Sequence, residues 1–160
     1  MKIVIFGNSG SGKSTLAKRY QLDNDLALLD LDAIAWQDSI PPARKSLIHS
    51  ANLIDQFVSD HARWVVEGCY ADLLEIAMQH ANEIIFLNPG LDACLANCRN
   101  RPWEPHKYES AEAQNNNLDM LLEWVKQYET RNDEFSLSAH RSLYQMFEGK
   151  KSEHDSSTWC

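Results

Sequence analysis

Four short stretches of the chain, 2–6, 26–29, 63–66 and 83–87, are apolar almost throughout and lack the alternation of a strand with one wet face. Continuous apolar runs of this length predict strands of a parallel sheet covered on both faces. Between and after them, apolar residues recur at spacings of three and four: Leu16 to Tyr20; Leu47, Ala51, Ile54 and Val58; Leu73, Leu74 and Ala77; Leu91, Cys94, Leu95 and Cys98. Each set falls on one helical face, so the pattern predicts strands alternating with helices in an α/β sandwich. Pro41-Pro42 precedes the second helix, and Asn88-Pro89-Gly90 separates the fourth strand from its helix. The periodicity stops over 101–110 and resumes in a long helix with Leu118, Leu121, Leu122, Val125 and Tyr128 on its core face. A last helical pattern runs through Leu137, Leu143, Tyr144 and Phe147. The polar residues 149–158 read either as a frayed tail or as a weak edge strand.

The first apolar run leads directly into Gly7-Asn8-Ser9-Gly10-Ser11-Gly12-Lys13-Ser14-Thr15, which fits the phosphate-loop (Walker A) pattern G-x-x-x-x-G-K-[ST]. A strand before it and a helix after it are the context this motif needs. Glycines let the backbone close around an anion, and the N–H groups and dipole of the following helix face the phosphates. Residues 7–15 are therefore expected to hold ATP, with Lys13 reaching the β- and γ-phosphates. The Ser14 hydroxyl is expected to complete the coordination of Mg²⁺, which otherwise keeps waters and phosphate oxygens.

Other candidates cluster where strands end, the edge at which open α/β sheets bind ligands. Asp30-Leu31-Asp32 follows the second strand. Along an extended strand end both carboxylates would point one way, Asp30 toward Mg²⁺ through water and Asp32 toward an acceptor hydroxyl as base; both are substrate-binding candidates. Solvated loop acids, or Asp32 capping a helix over 33–36, are the plainer alternatives. Glu67-Gly68-Cys69-Tyr70 ends the third strand, with Glu67 and Gly68 as further substrate-binding candidates. Arg99 and Arg101 stand before the segment 101–110, which has the make-up of a short lid. They are catalytic candidates for steadying transferring phosphoryl oxygens, with Arg101 also on the nucleotide; the helix dipole alone also favours basic residues there. The neighbouring His106 and Lys107 are read as serving the nucleotide too. Arg131 is a further substrate-binding candidate, with an ordinary helix-end arginine as its alternative.

The 160 residues suit one domain, 1–160, and the 44% hydrophobic and 24% charged shares are those of a globular protein. The short first apolar run is no signal peptide and no stretch has membrane-spanning length, so a cytoplasmic protein is expected. Cys69, Cys94, Cys98 and Cys160 form no C-x-x-C pair and are expected to be free thiols. A net charge of −8 opposes direct nucleic-acid binding. Neither 63–68 nor 83–88 ends in the aspartate with which motor or transport ATPases usually close such a strand, and no N-K-x-D stretch marks guanine specificity.

The phosphate loop, the Asp-x-Asp, the Glu-Gly-x-Tyr and the arginine-bearing segment together resemble small P-loop kinases of the adenylate kinase superfamily, which includes shikimate and gluconate kinases. The pattern is most similar to the group labelled DNA topology modulation proteins, which also carry a Trp soon after the aspartates, here Trp36, and W-x-x-x-Y-x-x-R, here Trp124, Tyr128 and Arg131. The resemblance covers residues 1 to about 131. It implies a P-loop NTPase three-layer sandwich of about five parallel strands, with strand one flanked by strands three and four and a fifth strand drawn from 150–155. Adenylate kinases carry Asp-Gly and then Pro-Arg at the end of strand three, so the arginine that clamps an acceptor phosphate is missing here, and so is the glycine triplet of shikimate kinases.

The expected function is phosphoryl transfer from Mg-ATP to a small hydroxyl acceptor by a monomer or homodimer. The alternative is a nucleotide-gated regulatory protein acting through a protein partner.

Overall fold

The computed structural model describes residues 1–155; Cys160 and the end of the 149–158 tail lie outside them. Strands β1 (Lys2–Gly7), β2 (Ala27–Asp30), β3 (Trp64–Gly68), β4 (Glu83–Leu87) and β5 (Lys150–His154) form one sheet in the order β2-β3-β1-β4-β5. Every pairing is parallel, with Val4 opposite Val66 on one side and Ile84 on the other. The helices are α1 (Lys13–Asn24), α2 (Asp32–Ala35), α3 (Leu47–Asp60), α4 (Ala71–Met78), α5 (Leu91–Arg99), α6 (Ala111–Lys126) and α7 (Leu137–Met146).

The continuous apolar runs split as the pleat requires. Val4, Phe6, Trp64, Val66, Ile84 and Phe86 join one core with α3, α4 and α7, while Ile3, Ile5, Val65, Ile85 and Leu87 pack on Leu16 and Ala17 of α1. Phe6 and Phe86 stack at 4.9 Å between centroids, and each such buried side chain contributes roughly 1.5–3 kcal/mol. A third cluster joins Cys94, Leu95 and Cys98 of α5 to Leu122 and Val125 of α6. Among the described residues, no helix is long and apolar enough to cross a membrane, and Cys69, Cys94 and Cys98 are unbridged.

Two boundaries differ from the pattern's expectation. β2 and β3 each run on toward the ligand edge, so that Asp30, Glu67 and Gly68 are strand residues paired with their neighbours. The polar stretch 150–154 is a strand, not a frayed tail. β4 supplies its backbone partners, and the ion pairs Arg141–Glu153 (2.5 Å) and Lys150–Glu83 (3.3 Å) suit an edge.

His140 of α7 is fully buried, with ring edges against Phe6 and Phe86. Its Nε2 lies 2.7 Å from the Cys69 carbonyl, which can only accept, so Nε2 carries the proton and Nδ1 accepts from the Tyr128 hydroxyl at 2.7 Å. Burial, the largest influence, holds the imidazole down to about 4 from an ordinary 6.5. Below pH 6.5 the unfolded chain takes a proton that the folded chain refuses, so stability present above 6.5 is lost as pH falls toward 4. The loss amounts to roughly 3 kcal/mol. Urea melts from pH 7 to 4.5 should therefore lose more stability in the wild type than in His140→Gln, which has no imidazole to protonate; equal losses would refute this.

Candidate active site

β1 delivers the chain to the loop between Gly7 and Lys13 with little free space. A Cβ on Gly7 would lie 2.3 Å from the Leu87 carbonyl oxygen, and one on Gly10 would lie 2.3 Å from that of Cys94. Gly10 and Gly12 have φ of 80° and 98°, the left-handed region that favours glycine. The loop is tied by Ser11 N–H to the Asn8 carbonyl (3.1 Å), the Asn8 side-chain amide to the Val125 carbonyl (3.4 Å) and Asn97 of α5 to the Gly10 carbonyl (2.8 Å). Lys13 Nζ donates to the Asn8 carbonyl at 2.8 Å, holding the ammonium over the loop.

No side chain caps α1, so its first-turn amides remain for an anion. Ser9 is half-buried, Ser11 is buried with an unpartnered Oγ, and Ser14 and Thr15 are exposed on the first turn. This uncapped, glycine-shaped cradle and the exposed Ser14 hydroxyl fit a polyphosphate with its Mg²⁺. Among the described residues, no group of three or more His, Cys, Asp or Glu side chains is arranged to hold a metal. The donor set therefore fits a cation ligated mainly by phosphate oxygens and water, with one serine.

Ser14 Oγ donates to Glu67 Oε1 at 2.9 Å. Burial first, then the neighbouring Asp30 charge, push the Glu67 carboxyl up to about 7. Gly68 has a packing reason: a Cβ there would sit 2.8 Å from the Leu31 side chain.

The two aspartates converge, but through a turn and not along an extended strand. Asp30 closes β2, and its Oδ1 accepts from the Asp32 N–H at 2.9 Å, an Asx-type turn that leads into the short α2 that Asp32 opens. Both carboxylates then face Lys107 of the 101–110 segment, whose Nζ lies 2.7 Å from Asp32 Oδ2 and 3.6 Å from Asp30 Oδ2. Asp32 Oδ1 accepts from the Tyr70 hydroxyl, and the Tyr70 oxygen accepts from Trp36 Nε1 at 2.8 Å. Burial pushes Asp32 upward, but Lys107 and the Tyr70 hydrogen bond outweigh it and hold the carboxyl below its ordinary range. Lys107, conversely, is held above the usual ammonium range by Asp32 and Asp30 despite its burial.

The segment carrying Lys107 is stapled to α6 by Gln114, which accepts from Glu104 N–H (2.8 Å) and donates to the Pro102 carbonyl (3.0 Å). Arg99 is exposed, and Arg101 pairs with Glu104 at 3.5 Å. Both line a shallow pocket with Tyr108 and Gln114, beside the loop and not on it. The Arg131 guanidinium pairs with Asp133 (2.8 Å) and lies over the rings of Trp124 (4.7 Å) and of Phe135 (5.5 Å), the latter packed on Tyr70. The residues that pattern reading undervalued are Lys107 and Tyr70. The pattern assigns Lys107 to the nucleotide, whereas its ammonium sits on the aspartates; Tyr70 carries no signal beyond its place in the Glu-Gly-x-Tyr stretch.

A five-stranded parallel sheet in this order, with helices on both faces and a glycine loop after its central strand, is the α/β fold of P-loop kinases. A sugar kinase from Janibacter sp. HTCC2649 superposes with a TM-score of 0.53 at 11% identity, over 97% of this chain and 84% of that one. A gluconokinase from Sinorhizobium meliloti 1021 gives 0.53 at 17% identity, over 98% and 82%. The YorR protein of Bacillus subtilis, in complex with phosphorylated GDP, gives 0.51 at 11% identity, over 98% and 87%. No protein-family model and no curated protein matches the sequence.

Proposed function

We propose that the protein is a phosphotransferase that moves the γ-phosphoryl group of Mg-ATP to a hydroxyl of a small acceptor. The observation that carries this reading is the pairing of an uncapped phosphate loop with Asp32, a carboxylate gripped by Tyr70 from the scaffold and by Lys107 from the lid segment. Magnesium, when bound, neutralises phosphate charge and draws electron density from the transferring group. Lys13 and the first-turn amides of α1 bind the phosphates, and Ser14 Oγ offers the one serine ligand.

Asp32 Oδ2 accepts a hydrogen bond from the acceptor hydroxyl, orients it, and takes its proton as the new oxygen–phosphorus bond forms. A carboxylate held ionised suits that task, because phosphoryl transfer asks mainly for positioning and charge stabilisation. Lys107 brings positive charge to the same point, and Arg99 and Arg101 at the lid's base steady the nucleotide side as the lid excludes water. Trp36 donates to the Tyr70 oxygen and so supports the phenol that holds Asp32.

The test is ADP release from Mg-ATP with a panel of hydroxyl metabolites. Asp32→Asn should lower acceptor-stimulated release by roughly 10²-fold or more while nucleotide affinity stays within about twofold. Full transfer activity in that variant would remove Asp32 from the role.

A further inference from the structure

The geometry points to Tyr70 and Trp36 as a positioning pair that fixes Asp32 so that only its Oδ2 faces the acceptor and the lid. This inference rests on the phosphotransferase reading above and adds two residues that act through Asp32.

The direction of each hydrogen bond follows from chemistry. An indole N–H can only donate, so Trp36 Nε1, 2.8 Å away, occupies an acceptor position on the Tyr70 oxygen. The phenolic proton is then left for Asp32 Oδ1. Tyr70 keeps that proton, because burial, with the Asp32 charge adding to it, raises the phenol far above its ordinary range. Oδ1 is thereby committed to the scaffold, and Oδ2 is the oxygen that meets Lys107 at 2.7 Å.

The phenol itself is held still. Tyr70 is 2% exposed at the junction of β3 and α4, with Arg44 4.9 Å from its ring centroid. Arg44 is pinned by Asp72 at 3.2 Å and Glu134 at 3.1 Å. Trp36 donates from the end of α2, the same short helix that Asp32 opens, so the relay closes a ring of local structure around the carboxylate.

During transfer the acceptor O–H bond breaks and its proton goes to Asp32 Oδ2. The oxygen's electron pair forms the bond to the γ-phosphorus, and the electrons of the broken bridging bond leave on ADP. Tyr70 neither gains nor loses a proton. A carboxylate free to rotate would spend part of its time with neither oxygen aligned, so loss of the pair should lower turnover and spare nucleotide binding.

Acceptor-independent Mg-ATP hydrolysis, with water in the acceptor's place, tests this through a double-substitution cycle. Tyr70→Phe should lower kcat roughly tenfold, with KM for ATP within about twofold, and Trp36→Phe should lower it roughly threefold. Because Trp36 acts through Tyr70, the double variant should match Tyr70→Phe alone; two independent structural defects would instead multiply to roughly thirtyfold. Wild-type hydrolysis in Tyr70→Phe, or multiplicative losses, would overturn the positioning role while Asp32→Asn still abolished hydrolysis. Hydrolysis indifferent to Asp32→Asn would overturn the phosphotransferase reading and this inference with it.

Discussion

Lys13→Ala is expected to reduce Mg-ATP turnover by on the order of 10³-fold and to weaken nucleotide binding with it. The Lys13 side chain is half-buried, and its ammonium donates to the Asn8 carbonyl at 2.8 Å, an acceptor of the loop itself. Removing it leaves the uncapped amides of α1 as the neighbouring source of positive potential. Those amides carry about half a charge between them, against the full charge of the lysine. Folding should change little, because the substitution is in the first turn of α1 and gives that helix alanine, its best former, and the buried Glu67 that loses Lys13's charge can take up a proton. Thermal melts of the two proteins should therefore nearly coincide while calorimetry and ADP release diverge. Unchanged ATP binding in Lys13→Ala would remove the loop from its assigned role, and with it the functional reading.

The parts legible in the sequence share one property: their physical cause is local. The run Ile3 to Phe6 had to be buried on both faces, and glycine spacing after it forced a left-handed turn, which the structure has at Gly10 and Gly12. β5 was hard to read because nothing local drives it. Lys150 to His154 carry no apolar pattern, and the strand forms on the backbone edge that β4 offers and the charges that meet it there. The grip on Asp32 was invisible for the same reason. Lys107 lies 75 residues from Asp32, Tyr70 lies 38 from it, and Trp36 lies 34 from Tyr70.

The W-x-x-x-Y-x-x-R pattern was visible, but its cause is largely packing. Trp124 meets Phe135 edge to face at 5.3 Å and carries Arg131, while Tyr128 supports the buried His140. Arg131 pairs with Asp133 and lies over Phe135, which packs on Tyr70.

The second large effect separates two glycines that look alike by backbone angle. Gly10 and Gly90 have φ of 80° and 102°, and Gly90, with ψ of 158°, lies in a region essentially reserved for glycine, so alanine at either introduces strain on the order of 1–3 kcal/mol. Their surroundings differ. Nothing lies within 4 Å of a Cβ on Gly90, whereas one on Gly10 would meet the Cys94 carbonyl oxygen at 2.3 Å and Cys98 Sγ at 2.8 Å. The Cys94 oxygen belongs to the backbone of α5 and cannot turn aside, so either α5 or the loop must retreat. Retreat would also strain the Asn97 bond to the Gly10 carbonyl and shift the amides that face the phosphates.

Gly10→Ala should therefore lose about 2–4 kcal/mol of stability and most of its ATP affinity, while Gly90→Ala shows strain alone with affinity near wild type. Denaturant melts and nucleotide titrations of the two variants, run in parallel, measure the difference. Equal stability and equal affinity would mean that α5 does not brace the phosphate loop, and the tight contact between them would lose its place in the account of binding.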